Sequence, residues 1–248
     1  MFSRELFLLA VSFYTRIRIS TPLDYQKLAQ AIIYLPLVGW IVGTLSGVTF
    51  FVAQFFLPQI TAILLAITAG IFVTGALHED GLADVCDGFG GGFDKTQILT
   101  IMKDTHIGVF GVLGLLLSLA LKVTTLNAFS TYEIPFILFA GHCVSRFAPL
   151  QLMFCYDYAR IENSKMGAAT KKLTWRELLF AACFAFVPLF FLPLQSFFLI
   201  LPLIGATALL GRYFFNKIGG YTGDCLGVSQ QFSEVLFYIL LNAIWKFI

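Results

Sequence analysis

The sequence is poor in charge and has no patterned cysteines. Only 12% of its 248 residues are Asp, Glu, Lys or Arg, against ~25% in soluble domains. Its five cysteines form no C-x-x-C pair and no zinc-like spacing, so we expect reduced thiols rather than disulfides or a zinc site. The net charge of +2 comes without a dense basic run, which argues against binding to nucleic acid.

Apolar residues dominate instead. The hydrophobic set makes up 58% of the chain, including 28 Phe, and the mean hydropathy is +0.86. A soluble globule cannot bury so much apolar surface. The long apolar runs predict an all-α, polytopic integral membrane protein, with one membrane-embedded domain over residues 1–248.

The apolar runs predict about six or seven transmembrane helices, since a ~30 Å hydrocarbon core takes ~20 helical residues. Residues 178–211 carry no charge and are too long for one crossing, so their prolines and the Gln195-Ser196 pair favour a hairpin. The expected spans are residues 31–57, 60–77, 107–129, 135–156, 178–194, 196–211 and 235–248. The expected cytoplasmic polar loops are residues 78–106, 157–177 and 212–234.

Charge distribution predicts a cytoplasmic N-terminus. Arg4 precedes an apolar run that leads into Thr15-Arg16-Ile17-Arg18, which favours an interfacial helix over a cleaved signal peptide. With this orientation every Lys and Arg lies on the cytoplasmic side except Lys122, Arg146 and Lys246. Every acid except Glu133 lies there too, so we expect the functional site to face the cytoplasm.

An acidic stripe is the most informative motif. Asp80, Asp84 and Asp87 are spaced i, i+4, i+7, which places them within a ~60° arc of a helix. Like charges stacked this way repel, and a hard divalent cation, Mg²⁺ or Mn²⁺, would offset the repulsion. Gly81 and Gly88 would let a ligand approach the backbone. The alternative is a solvated acidic helix end.

Three other groups suit phosphate chemistry. Asp104 would complete a metal shell and Lys103 would meet a phosphate, or the two would cap and anchor a span entrance. The glycine-rich residues 219–227 suit an anion-binding nest, with Asp224 available for metal or hydroxyl, or a simple loop. Arg146, inside a span, would bind phosphate, pair with an acid or reach the interface. Together these groups suggest phosphoryl or nucleotidyl-type transfer.

The sequence resembles the cobalamin synthases (adenosylcobinamide-GDP ribazoletransferases) over nearly its whole length. Their signature, H-x-D-G-L-A-D-x-x-D-G, is matched by His78, Asp80, Gly81, Leu82, Ala83, Asp84, Asp87 and Gly88. Further motifs agree in order: Phe13-Tyr14-Thr15-Arg16, Met102-Lys103-Asp104 with Gly108, Ser145-Arg146, Tyr158-Ala159-Arg160, and residues 219–227. Glu79 departs from the family pattern, so no role is carried onto it.

The resemblance implies the last stage of cobalamin assembly. A hydroxyl of α-ribazole or its 5′-phosphate would attack the β-phosphorus of adenosylcobinamide-GDP, and GMP would leave. The expected catalytic residues are Asp80, Asp84, Asp87 and Lys103, with Mg²⁺ (or Mn²⁺) on Asp80, Asp84, Asp87 and Asp104. The expected substrate- or phosphate-binding residues are Arg146, Gly219, Gly220, Gly223, Asp224 and His78.

Two other functions stay open on the residues alone. A CDP-alcohol phosphotransferase would need D-x-x-D-G-x-x-A-R, whereas Ala83 is followed here by Asp84. An ion-coupled or corrinoid transporter would show internal repeats and midplane charges, whereas these acids cluster at one edge. The resemblance also implies a multi-pass protein of a prokaryotic inner membrane, in contact with the lipid bilayer. It leaves open a homo-oligomer or association with other corrinoid enzymes.

Overall fold

The computed structural model describes residues 2–159 and 172–246. Over this part of the chain it contains twelve α-helices. They are α1 Arg4–Tyr14, α2 Leu28–Ala31, α3 Leu35–Ala53, α4 Gln59–Thr74, α5 Leu77–Gly91, α6 Lys95–Ile101, α7 Val109–Leu126, α8 Ile134–Ser145, α9 Ala148–Cys155, α10 Trp175–Phe186, α11 Ile200–Ile218 and α12 Gly223–Trp245.

Short 3₁₀ helices fill several junctions: Tyr25–Lys27, Ile32–Tyr34, Val187–Phe191 and Leu194–Leu199. The described residues contain no β-strand, only an isolated bridge between Tyr158 and Tyr221. The all-α prediction is confirmed. Residues 160–171 of the predicted loop 157–177, with Arg160 of the Tyr158-Ala159-Arg160 motif, lie outside the described part.

Four helical segments are long and apolar enough to cross a membrane: Tyr25–Ala53, Val109–Leu126, Ile134–Cys155 and Leu194–Ile218. A fifth crossing is added if α4 and α5, which meet at 90°, form one broken span. The protein is therefore a multi-pass membrane protein. The count is lower than the six or seven predicted from hydropathy because α10 has only 12 residues and α12 begins with a polar half.

Glycines let the central helices pack closely. Gly39, Gly43 and Gly47 lie four residues apart on α3, and a Cβ at each would come within about 3 Å of the α8 backbone. Such small-residue stripes allow close backbone contact where lipid provides no hydrophobic driving force between helices. Their effect is to bury the Ile134–Cys155 segment almost completely, whereas α7 exposes most of its surface.

Two of the predicted polar loops prove to be largely helical. Residues 78–106 contain α5 and α6, and residues 212–234 contain the end of α11 and the first half of α12. Helix α5 packs against α12 and α7. The acidic stripe therefore lies on a helix, as its spacing predicts, and polar side chains of these segments find partners on neighbouring helices. The cytoplasmic position of the two segments stays a prediction.

The chain bends sharply just before α5. Gly75 and Ala76 both adopt left-handed backbone conformations, at φ 66° and 59°. A Cβ at Gly75 would collide with the side chain of Arg16, whose backbone N–H donates to the Val73 carbonyl at 2.7 Å. The bend directs α5 away from α4 and toward α12, and so sets the position of the acidic stripe.

Candidate active site

Helix α5 presents two of its aspartates to a shared cavity. Asp80 and Asp84, one helical turn apart, line a cavity of about 430 Å³. Lys103 and Asp104, from the segment between α6 and α7, line the same cavity. Glu79 borders it as well. The structure thus brings four predicted site residues together and adds one carboxylate that the prediction had set aside.

A second cavity, of about 180 Å³, also borders Asp80. His78, Gly223 and Asp224 line it, together with Tyr14 from α1. Among the residues that the structure describes, only Asp80 borders both cavities. Residues from opposite ends of the sequence therefore meet around a single carboxylate.

The two signature glycines serve helix packing. A Cβ at Gly81 would lie 2.9 Å from the Asp224 carbonyl oxygen, and one at Gly88 would lie 2.4 Å from the Met102 side chain. Gly81 also lines the smaller cavity, so the predicted approach of a ligand to its backbone stays a prediction, whereas Gly88 lines neither cavity. At Gly81 the close approach is made by α12, which carries Asp224 to the rim of the second cavity.

Asp87 lies apart from both cavities. Its carboxylate accepts the backbone N–H of Gly108 at 2.7 Å and that of Gly111 at 2.9 Å. These are the N-cap and third residues of α7. Because Gly108 has no side chain, Asp87 supplies the cap from a neighbouring helix. We predicted that all three aspartates of the stripe share one site. In the structure only Asp80 and Asp84 line the same cavity.

The Lys103-Asp104 segment forms an exposed polar turn. Oδ1 of Asp104 accepts the backbone N–H of His106 at 3.0 Å and lies 2.7 Å from its Nδ1. These contacts with His106 hold the pKa of Asp104 below its ordinary value. Asp104 therefore stays ionised at neutral pH and contributes a negative charge to the larger cavity.

The glycine-rich segment is a turn followed by a helix. Gly219 ends α11 in a left-handed conformation, while α12 already includes Gly223, Asp224 and Gly227. A Cβ at Gly220 would collide with the Asp157 carbonyl oxygen, which also accepts the N–H of Tyr221. Neither Gly219 nor Gly220 lines the two cavities, because the turn packs on the backbone near Asp157, whereas Gly223, Asp224 and Gly227 line the smaller one. The predicted anion-binding nest stays a prediction.

Arg146 is enclosed in a buried polar cluster. It is 1% exposed, and one terminal nitrogen donates to the His142 carbonyl oxygen at 2.7 Å. Its Nε has no hydrogen-bond partner among the described residues. Arg146 borders neither of the two cavities at Asp80. Arg146 therefore lies inside the bundle, and its predicted contact with a substrate phosphate stays a prediction.

The same cluster holds a buried ion pair. Lys122 on α7 lies 3.0 Å from Glu234 on α12, and its ammonium donates to Gln231 at 2.8 Å. Gln231 in turn donates to Glu79 at 3.0 Å. Glu234 was predicted in a cytoplasmic loop, yet it is 3% exposed in the bundle interior. The cluster connects the ion pair to Glu79 at the edge of the larger cavity.

Comparisons with known proteins identify the family of this chain. The profile described as cobalamin-5-phosphate synthase matches residues 6–242. The chain belongs to the cobalamin-5-phosphate synthase family. Proteins named adenosylcobinamide-GDP ribazoletransferase from Shewanella amazonensis and Shewanella frigidimarina are 39% and 42% identical, covering 98% and 97% of this chain and 96% and 95% of their own length. One from Ralstonia pickettii is 38% identical over 92% of this chain and 91% of its own length. No solved structure matches.

The cavity of this synthase family member has the donors that a hard cation prefers. Among the described residues, no three His, Cys, Asp or Glu side chains converge closely enough to hold a metal by themselves. Magnesium usually takes one or two protein carboxylates, with water and substrate phosphate completing its shell. Asp80, Asp84 and Asp104 border one cavity together with Glu79, whose buried Oε2 has no hydrogen-bond partner among the described residues. The residues present therefore fit Mg²⁺.

Reasoning from the sequence missed the link between Glu79 and the buried cluster of this synthase. The signal that could have revealed it is a polar stripe on α12, in which Gln230, Glu234 and Tyr238 recur every fourth residue. With the intramembrane Lys122, such a stripe predicts a buried pair, because an unpaired charge in a span is costly.

Proposed function

We propose that this protein is an adenosylcobinamide-GDP ribazoletransferase that completes the nucleotide loop of cobalamin. Its substrates are adenosylcobinamide-GDP and α-ribazole or α-ribazole 5′-phosphate, and its second product is GMP. Family membership and the names of the relatives support the reaction. The observation that carries the assignment to a site is the position of Asp80 between a charged cavity and a largely apolar one.

In the reaction, the ribazole replaces GMP on the phosphorus nearest cobinamide. The ribazole hydroxyl oxygen forms a bond to the phosphorus nearest cobinamide, the bond from that phosphorus to the bridging oxygen breaks, and GMP leaves with that oxygen. Asp80 accepts the hydroxyl proton, since a general base must reach the attacking group and Asp80 borders both compartments. Lys103 faces the developing negative charge from the larger cavity.

The proposal includes Mg²⁺ held in the larger cavity by one or two of the carboxylates Asp80, Asp84 and Asp104, without Asp87, with water and substrate phosphate completing its shell. When bound, the ion neutralises pyrophosphate charge and favours in-line displacement. The carboxylates would otherwise repel that pyrophosphate, so their grouping at one cavity supports a cation there.

The proposal places the protein in the cytoplasmic membrane of a prokaryote, with the Asp80 cavities facing the cytoplasm. The distribution of Lys and Arg supports this orientation.

Release of GMP tests the function directly. Detergent-purified protein is given adenosylcobinamide-GDP and α-ribazole, with Mg²⁺ or with EDTA. We expect metal-dependent GMP and a completed cobalamin. Asp80→Asn removes the base and is expected to lower kcat about 10²–10⁴-fold.

Asp94→Asn is the matched control, because Asp94 is an exposed N-cap of α6 and asparagine caps equally well. Absence of GMP from folded wild-type protein with any metal would contradict the reaction. Activity with CDP-linked lipids, or substrate accumulation in vesicles without GMP release, would then support a phosphotransferase or a transporter. Full activity of Asp80→Asn would support the reaction but contradict the placement of the catalytic site at Asp80.

A further inference from the structure

The two cavities that meet at Asp80 differ sharply in their walls. The larger one is bordered by charged side chains, including Asp84, Lys103 and Asp104. The smaller one is walled by Ile32, Leu35, Pro149 and Leu226, all buried. The carboxylates at the smaller cavity belong only to α5 and α12. It is therefore an apolar compartment with a polar rim.

Volume limits what the smaller cavity can hold. Pockets for whole drug-sized ligands run ~300–1,000 Å³, whereas this one has about 180 Å³. It takes a fragment of a substrate rather than a corrin ring or a complete nucleoside diphosphate.

The charge of the lining side chains further limits what the smaller cavity can bind. Among the described residues that line this compartment there is no Lys or Arg, so a phosphate there would meet Asp80 and Asp224 and would lose its water against aliphatic walls. A flat heterocyclic base gains from the same walls. The sugar hydroxyls attached to such a base are hydrogen-bond donors, which the two carboxylates can accept.

We propose that the smaller cavity binds the apolar base of the attacking nucleoside, so that its walls determine which base is accepted. This inference rests on the proposed function and adds the specificity site to it. The base lies against Leu35 and Pro149, the ribose lies toward Asp80 and Asp224, and the pyrophosphate of the other substrate occupies the charged cavity.

Tyr14 supplies a further contact. It lies at 7% exposure in the wall of the smaller cavity. Burial raises the pKa of its hydroxyl, which therefore remains protonated at physiological pH and can donate to a ring nitrogen of the base.

A change of cavity size tests the proposal. Leu35→Phe narrows the smaller cavity, and GMP release is measured with α-ribazole, with its 5′-phosphate and with an analogue bearing unsubstituted benzimidazole. We expect the KM for both forms of α-ribazole to rise about tenfold or more and the KM for adenosylcobinamide-GDP to change less than about twofold. The KM for the smaller benzimidazole analogue should rise less.

Leu116→Phe is the matched control, since Leu116 faces outward on α7 with 58% exposure. If Leu35→Phe does not fold, Leu35→Ala widens the cavity and should shift kcat/KM toward bulkier bases. An unchanged KM for α-ribazole, an equal rise for both substrates, or a rise confined to the 5′-phosphate would overturn the inference. A wild-type protein that releases no GMP contradicts the proposed function instead.

Discussion

Asp80 and Asp87 lie on the same face of one helix and differ in what faces them. Around Asp80 are two cavities, whereas the oxygens of Asp87 accept the N–H groups that begin α7. A carboxylate bonded to two backbone donors contributes to stability and holds two helices in register. We therefore expect the two aspartates to respond oppositely to substitution.

Asp87→Ala is predicted to lower the free energy of unfolding by about 1–2 kcal/mol, the usual cost of losing an N-cap. Asp80→Asn, on the same helix, should leave stability nearly unchanged and reduce GMP release. Thermal unfolding in detergent and initial rates on the same preparations separate the two effects. A fully stable but inactive Asp87→Ala protein would instead place Asp87 in the chemistry.

At the scale of elements, α7 and α12 are joined by a charged pair within the bundle. Lys122 and Glu234 are each about 3% exposed, and their charged atoms lie 3.0 Å apart. Gln230 also donates to Glu234, at 2.7 Å. Such a network gives helices a defined register, because any rotation leaves a buried charge without its partner.

Lys122→Met is predicted to destabilise the protein by about 3–5 kcal/mol, because Glu234 would then stay buried without its cation. The double variant Lys122→Met/Glu234→Gln should recover much of that loss, since it removes both charges. Thermal unfolding of the single and double variants measures both the loss of stability and its recovery. Equal stability of Lys122→Met and wild type would show that the pair contributes little.

At the scale of the whole molecule, the bundle has two distinct ends. At one, Gln59 at the start of α4 donates to the Asn127 and Phe129 carbonyl oxygens beyond α7. At the other, α5 meets the start of α7 through Asp87 and the start of α12 through Gly81. All candidate site residues of the two Asp80 cavities lie toward the second end. The proposed orientation puts that end in the cytoplasm.

Labelling tests this orientation. In a background with the five cysteines replaced, Tyr132→Cys lies in the exposed turn after α7 and Asp94→Cys lies between α5 and α6. An impermeant maleimide added to intact spheroplasts should modify the cysteine at 132 and spare the one at 94. After membrane disruption both should react. The reverse pattern in intact spheroplasts would place the aspartates outside.

The sequence by itself determined the class of protein and the acidic face of α5. Both depend on local regularities: apolar runs long enough for a bilayer predict helical spans, and the i, i+4 spacing places Asp80 and Asp84 together on any helix. The meeting of Asp104 with these aspartates was also predictable, through the family motifs.

Only the tertiary structure decided which aspartate caps a helix, which glycine packs against a neighbour, and which charged residues are buried. Asp87 became a cap, Gly81 a packing site, Arg146 a buried residue, and Glu234 a partner of Lys122. Each of these outcomes depends on a neighbour far away in the chain. Hydropathy and periodicity report which face of a helix is polar, but the crossing point of two helices decides which polar groups meet, and that point is set by packing across the whole bundle.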